Sequence, residues 1–316
     1  MNSIPSFEDI ERAHTRIKPF INKTPVLTSQ SLNDWAGTEL HLKCENLQKI
    51  GAFKLRGATN AAICLSGEER KNGLATHSSG NHAQAVALAA KNLGVKAYVV
   101  MPDNSPQVKV NAVKGYGAEI IFCTPEIRTR ETTLNKVIED TGATFIHPFN
   151  NYKVIEGQAT ASKELLEETG ELDALITPIG GGGLMSGSCL TGHYLYPNLE
   201  IYGSEPAAVD DAYRSLKSGT LQTNQTTNSI ADGLLTNLGD KTFGIIKEHV
   251  KDIFTVSEEE IIGAMHFVWE RMKIIIEPSS AVAIAAVKKQ NDVFKNKKVG
   301  VIITGGNVDL AKLPFK

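Results

Sequence analysis

Four short stretches of the chain carry residue types that could do chemistry. The first is Phe53-Lys54, with the lysine opening a helical stretch over 54–65. A cation at a helix N-terminus meets the unfavourable end of the dipole, which helps to lower its pKa and free an amine. The plain alternative is a solvated surface lysine. The second is Ser78-Ser79-Gly80-Asn81-His82, two hydroxyls, an amide and an imidazole where a strand gives way to a helix. That set suits a carboxylate, unless Ser79 or Asn81 merely caps the helix. The third is an apolar run, Leu175 to Ile179, ending in Gly180, Gly181, Gly182 and Gly183 before a helix begins at Leu184. Without Cβ atoms, several N–H groups can turn toward one point at the positive end of that helix and form a phosphate cradle. A flexible linker would be polar on its flanks, and these flanks are apolar. The fourth is Glu205 to Asp211, whose carboxylates and carbonyls could hold a hard cation, although Asp210 and Asp211 could equally just open a helix.

Which phosphate the cradle takes is not set by the loop. A nucleotide P-loop needs a lysine after the glycines, and here Leu184-Met185 follow. A dinucleotide site wants an acid some way downstream. Glu205 stands near that place, but a lone acid is weak support.

The elements that must position these residues read as two α/β lobes. Phe7, Ile10, Ala13 and Ile17 mark a docking helix over 6–19. Segments 24–28 and 39–44 read as paired strands around a short helix from Ser31 to Ala36. From Gly73 to Phe149, strands at 74–77, 97–101, 120–123 and 144–147 alternate with helices at 80–93, 105–115 and 129–140. Successive crossovers of this kind imply a small parallel sheet with helices on its faces. A second run follows, with helices at 153–169, 184–195, 240–249, 257–273 and from Pro278 to Val287, and strands at 200–204, 253–256 and 298–303. Residues 218–228 are polar and read as a surface loop.

With 316 residues the chain can bury a large core, and 33 basic against 35 acidic residues give no sign of a nucleic-acid partner. The first ten residues lack the basic and apolar regions of a leader, and no apolar run reaches membrane-spanning length, so a cytoplasmic protein is expected. Cys44, Cys64, Cys123 and Cys189 are scattered, which points to buried thiols and away from disulfides or a zinc site.

Taken together and in order, Gly51 to Gly57, Ser78 to His82, Gly180 to Gly183, Val268 to Pro278 and Gly305 to Leu310 resemble the fold-type II pyridoxal-phosphate enzymes, the tryptophan synthase β-like group, over essentially the whole chain. Within that group they resemble the serine racemases, serine/threonine dehydratases and threo-3-hydroxyaspartate ammonia-lyases. The resemblance implies two open, twisted α/β lobes with the cofactor between them. Residues 1–72 and 151–316 would form the large domain, and 73–150 a small mobile one.

The resemblance also implies roles. Lys54 would hold pyridoxal 5'-phosphate as a Schiff base and then remove the Cα proton from one face. The glycine tetrad with Leu184 would bind the phosphate; Phe53, Asn81, Gly233, Glu277 and Thr304 would surround the rest of the cofactor, with the Thr304 hydroxyl beside the pyridine nitrogen. A neutral hydroxyl there makes the ring a weaker electron sink and favours elimination or brief proton exchange. Ser78, Ser79, Asn81 and His82 would bind the substrate. In the racemases a serine at the place of Ser79 faces Cα opposite the lysine, whereas simple threonine dehydratases resemble Ser-Ala-Gly-Asn-His. Arg130 would order the small lobe or meet a second carboxylate. Glu205, the Val209 carbonyl and Asp211 match a divalent-cation site for Mg²⁺, Ca²⁺ or Mn²⁺. The family further implies a homodimer acting on a small amino acid, with ATP as an allosteric activator that no motif here specifies. Ala159 departs from a Gly-Gln-Gly-Thr motif, Thr304 replaces a common serine, and Phe149 stands where vertebrate serine racemases have asparagine and dehydratases more typically have phenylalanine.

Overall fold

A computed structural model describes residues 3–105 and 107–315, leaving Met1, Asn2, Pro106 and Lys316 outside the described residues. The first half of the chain runs α1 (Phe7–Ile17), β1 (Val26–Leu27), α2 (Gln30–Ala36), β2 (Glu39–Cys44), α3 (Lys54–Cys64), α4 (Gly67–Arg70), β3 (Leu74–His77), α5 (Asn81–Leu93), β4 (Ala97–Pro102), α6 (Gln107–Gly115), β5 (Glu119–Cys123), α7 (Ile127–Thr141) and β6 (Thr144–Phe145). The second half runs α8 (Tyr152–Thr169), β7 (Ala174–Pro178), α9 (Gly183–Leu195), β8 (Glu200–Pro206), α10 (Asp211–Ser218), α11 (Asp240–His249), β9 (Asp252–Val256), α12 (Glu258–Met272), α13 (Pro278–Lys289), α14 (Asn291–Phe294) and β10 (Lys298–Ile303).

Two sheets form. The larger has the order β1-β2-β10-β7-β8-β9 and is parallel except for the antiparallel β1. The smaller, β5-β4-β3-β6, is parallel throughout, as the repeated crossovers require. The central strands β7 and β10 are buried along almost their whole length, which is why they read as continuous apolar runs.

Strand order places the site. In the larger sheet the chain leaves β7 toward β8 on one side, while β10 lies on the other; in the smaller, β3 continues to β4 on one side and β6 lies on the other. Open parallel sheets bind ligands beyond the carboxyl ends of strands at such reversals. The glycine tetrad follows β7, Thr304 follows β10 and Ser78 to Asn81 follow β3, so the candidate residues emerge from these reversal points.

Helix contacts explain some small residues. A Cβ on Gly157 of α8 would lie 2.6 Å from the Gly57 Cα of α3, so these helices approach backbone to backbone. On the other side of α8, Ala159 faces Gly187 of α9, where an added Cβ would lie 2.6 Å from the Ala159 nitrogen. Gly187 therefore lets α9 approach the α8 backbone at Ala159. The expected strand over 144–147 is shorter than read: the Ile146 N–H still bonds the Ala75 carbonyl at 2.9 Å, but the chain then turns at His147 and Pro148. Proline has no N–H to extend the ladder.

Candidate active site

Lys54 is the first residue of α3, and its Nζ donates to the Pro148 carbonyl at 3.0 Å. Burial pushes its pKa down to about 8, with the Glu277 carboxylate opposing the shift. Desolvation is thus the leading cause, where the sequence had suggested the helix dipole. Phe53 caps the helix by position, and its ring lies 5.2 Å from the amine. Its N–H bonds the Thr304 carbonyl at 3.0 Å, which ties the lysine helix to the end of β10.

Two residues further on, Arg56 fixes α3 from below. It is fully buried and forks between Glu45 (Nε–Oε2 2.7 Å) at the end of β2 and Glu164 (Nη2–Oε2 2.8 Å) on α8. The buried Lys43 amine reaches the same Glu164 oxygen at 2.7 Å. Two cations and two carboxylates therefore neutralise one another, and breaking such a set by removing one member typically costs about 3–5 kcal/mol.

Neighbouring residues crowd the side of the glycine tetrad on which side chains would project. A Cβ on Gly180 would sit 3.0 Å from the Leu234 Cα, and one on Gly181 would lie 2.2 Å from Cγ and Cδ1 of the Phe149 ring. Gly182 has φ +86°, and a Cβ there would be 2.7 Å from Leu238 Cδ2; at Gly183 it would be 3.0 Å from Phe149 Cβ. Gly181 and Gly182 leave no room for a side chain, and Gly180 and Gly183 would take one only if their neighbours gave way. The loop ends at the N-terminus of α9, with Leu184 buried in its first turn, where unpaired N–H groups and the dipole favour an anion. The residues present therefore fit a phosphate, and with a desolvated lysine nearby they fit the cofactor that the sequence implies.

On the facing wall, Ser78, Ser79, Gly80 and Asn81 are half-buried at the junction of β3 and α5. Neither Ser79 nor Asn81 caps the helix: Gly80 holds the N-cap position without a side-chain bond, so the capping alternative fails. Asn81 instead reaches across the cleft. Its Nδ2 donates to the Glu277 carboxylate at 2.9 and 3.1 Å, and its Oδ1 accepts from Asn307 Nδ2 at 2.8 Å. Glu277 is only 3% exposed, and burial raises its pKa to about 7. His82 turns inward and places Nε2 2.9 Å from the Ile146 carbonyl; burial drops its pKa to about 3, so the ring is neutral. Its contribution to the junction is the backbone N–H in the first turn of α5.

Thr304 is buried, with Oγ1 2.9 Å from Ser280 Oγ. Ser280 also donates to the Gly305 carbonyl and accepts from the Gly305 N–H, both at 2.8 Å. Gly233 donates to Ser279 Oγ at 3.0 Å, and its carbonyl lies 3.2 Å from where a Gly180 Cβ would be. Arg130 sits apart: its guanidinium bonds the Pro125 carbonyl at 2.8 and 3.1 Å, and among the described residues it makes no hydrogen bond to the Ser78–His82 junction.

Glu205 and Asp211 are both fully buried, and Val209 is buried between them in sequence. Burial raises both carboxyl pKa values, and the charge of Asp211 raises that of Glu205 further. The Glu205 oxygens accept the Ala212 and Tyr213 N–H groups at 3.1 and 2.8 Å, so Glu205, not Asp210, satisfies the start of α10. Two mutually repelling buried carboxylates with unused lone pairs suit a cation. Among the described residues no three His, Cys, Asp or Glu side chains converge, so backbone carbonyls would have to complete its shell. Asp211 Oδ2 also accepts the Leu238 N–H at 2.8 Å, and Leu238 packs against Gly182, which links this pair to the glycine loop.

The model of the pyridoxal-phosphate dependent enzyme family matches residues 17–305. The chain belongs to this family. It is 53% identical over 314 residues to a serine racemase of Dictyostelium discoideum, covering 98% of this chain and 96% of that one. It is 48% identical over 312 residues to a β-hydroxyaspartate dehydratase of Paracoccus denitrificans, covering 99% of each. The solved structure of maize serine racemase superposes with a TM-score of 0.95 at 43% identity, covering 98% of this chain and 95% of the other. As a member of this family the chain is an enzyme, and its fold is the fold-type II α/β architecture that the motifs implied. No helix among the described residues is long and apolar enough to cross a membrane.

Sequence reading missed His147, Pro148, Ser280, Asn307 and the Arg56 cluster as parts of the site. Arg56 and Asn307 lie inside motif stretches but had no role assigned, and Ser280 lay within the expected helix from Pro278 to Val287.

Proposed function

We propose that this enzyme interconverts L- and D-serine and also removes water from serine to yield pyruvate and ammonia. The feature that carries the reading is Ser79, a half-buried serine two residues before Asn81, whose side chain bonds Glu277, while Lys54 opens α3. Racemisation needs a proton taken on one face of Cα and returned on the other, and a lysine and a serine on opposing walls provide two such groups. Pyridoxal phosphate, when bound, supplies the electron sink that makes the Cα–H acidic.

In this reading the glycine tetrad with Leu184 holds the phosphate and Lys54 exchanges the proton on one face. Ser79 holds the proton on the other, and backbone N–H groups of the Ser78–His82 junction receive the substrate carboxylate. Phe53, Asn81, Gly233, Glu277 and Thr304 surround the cofactor ring, and residues 73–150 move as the small domain that closes over it. The family also suggests a divalent cation on Glu205, Val209 and Asp211, a homodimer, a cytoplasmic location and ATP as an activator; the buried Glu205–Asp211 pair supports the first of these.

A second reading, a threo-3-hydroxyaspartate ammonia-lyase, uses the same machinery with Arg130 reading the extra carboxylate, and the 48% identity to the Paracoccus dehydratase favours it. A chiral product assay with L-serine, D-serine, L-threonine and threo-3-hydroxyaspartate separates the two. D-serine from L-serine is expected. Turnover of the diacid far above serine, without D-serine, would replace the first reading by the second.

A further inference from the structure

Residues 146–151 carry the chain from the small sheet back to the large one and touch several parts of the candidate site. The Ile146 carbonyl accepts from Thr76 Oγ1 at 3.1 Å and faces His82 Nε2. The Pro148 carbonyl accepts from Lys54, and the Phe149 ring packs on Gly181. Asn150 bonds Asp240 Oδ1 and the Lys241 N–H of α11 at 2.7 and 3.1 Å. Such a segment lies outside helix and sheet, so its backbone groups need other partners.

The side chain of His147 supplies them. Its Nδ1 accepts the N–H of Phe149 at 3.2 Å and the N–H of Asn150 at 2.9 Å, which closes the turn around Pro148. An imidazole nitrogen accepts only while it carries no proton. The ring is held edge-on to Phe149 at 4.7 Å, with the Phe145 ring tilted against it at 5.5 Å.

We propose that His147 is a positioning residue: as an unprotonated acceptor it pins this crossover turn, and so aims the Pro148 carbonyl at the Lys54 amine and seats Phe149 against the glycine loop. The proposal rests on the reading of Lys54 as the cofactor lysine and base. The groups facing the ring are Lys54 from α3, His77 from β3, His82 from α5, and Lys241 and Asp240 from α11. Burial first, then His77, Lys54 and Lys241, hold His147 neutral down to about pH 4, with Asp240 opposing. The folded pKa lies below the ordinary histidine value of 6.5, so the contribution to stability is complete above pH 6.5 and is lost as pH falls toward 4.

The test compares the holoenzyme with His147→Leu, which removes the acceptor, and His147→Asn, whose carboxamide oxygen can take the place of Nδ1 without titrating. Losing both turn bonds predicts a fall in kcat of about tenfold or more for His147→Leu, with KM little changed because the carboxylate junction lies on α5. Amide exchange at Phe149 and Asn150 should quicken in parallel. His147→Asn should bring kcat back to within about threefold of the parent, and its melting temperature should fall less than the parent's between pH 6.5 and 4.5. A parent-like kcat in His147→Leu, or an Asn variant as impaired as the Leu variant, overturns the proposal. If His147→Leu does not fold, the Asn variant decides alone: an acid-side loss of stability equal to the parent's overturns it. Lys54→Ala serves as the separate control. Retained turnover there would defeat the functional reading, whereas an inactive Lys54→Ala beside a fully active His147→Leu would defeat only the pin.

Discussion

Gly181→Ala perturbs the proposed phosphate cradle at its tightest point, because the added methyl would fall against Cγ, Cδ1 and Cε1 of Phe149. The ring has little freedom to swing away, since His147 abuts it edge-on at 4.7 Å. Either the ring or the loop must shift, and overpacking of this kind costs about 1–3 kcal/mol. If the whole cost falls on the loaded state, cofactor affinity drops by about 5- to 150-fold. Gly182→Ala provides a contrast. Its φ of +86° strains any L side chain, and its methyl would meet Leu238, not Phe149; the left-handed backbone alone costs about 1–2 kcal/mol. The assay is equilibrium titration of the cofactor-free protein with pyridoxal phosphate, followed by visible absorbance, with melting temperature measured alongside. Adding Phe149→Ala should recover most of the Gly181→Ala loss and little of the Gly182→Ala loss. Parent-like affinity in Gly181→Ala, or equal rescue of both variants, would refute the packing argument.

Two further outcomes are expected. Burial raises the folded pKa of Glu277 to about 7 from the ordinary 4.5, so the folded form holds an extra proton between those limits, and its contribution, present below pH 4.5, is lost as pH rises to 7; the parent's melting temperature should therefore fall relative to that of Glu277→Gln across that window, and parallel curves would contradict the raised pKa. Chelation should lower the melting temperature, with recovery on adding Mg²⁺ or Ca²⁺, and Glu205→Gln should abolish that response; no effect of chelation would remove Glu205, Val209 and Asp211 from the site.

The legible parts of the site were those whose chemistry is local. Four consecutive glycines after an apolar strand leave few other readings, and a lysine beginning a helix beside a phenylalanine is odd enough to stand out. The parallel crossovers were legible because alternating short strands and amphipathic helices admit little else. What stayed hidden depends on residues brought together from distant parts of the chain. Arg56 needs Glu45 and Glu164 to be anything but a helix surface charge, and burial, the main cause of the shift at Lys54, has no signature in sequence. His147 looked like the end of a strand, because nothing local says that its ring folds back onto the next two N–H groups. The junction at Ser79 was read correctly as a polar turn, yet only the placement of Gly80 at the N-cap excluded simple capping, and the bonds of Asn81 to Glu277 had no local signal.

The central claim is that Lys54 and Ser79 work on opposite faces of one amino acid, and the partition of products in Ser79→Ala tests it most directly. With L-serine as substrate, D-serine and pyruvate are measured in the same reaction. D-serine formation is expected to disappear while much of the pyruvate formation survives. Equal loss of both products, or D-serine formed at the parent's rate, would contradict it.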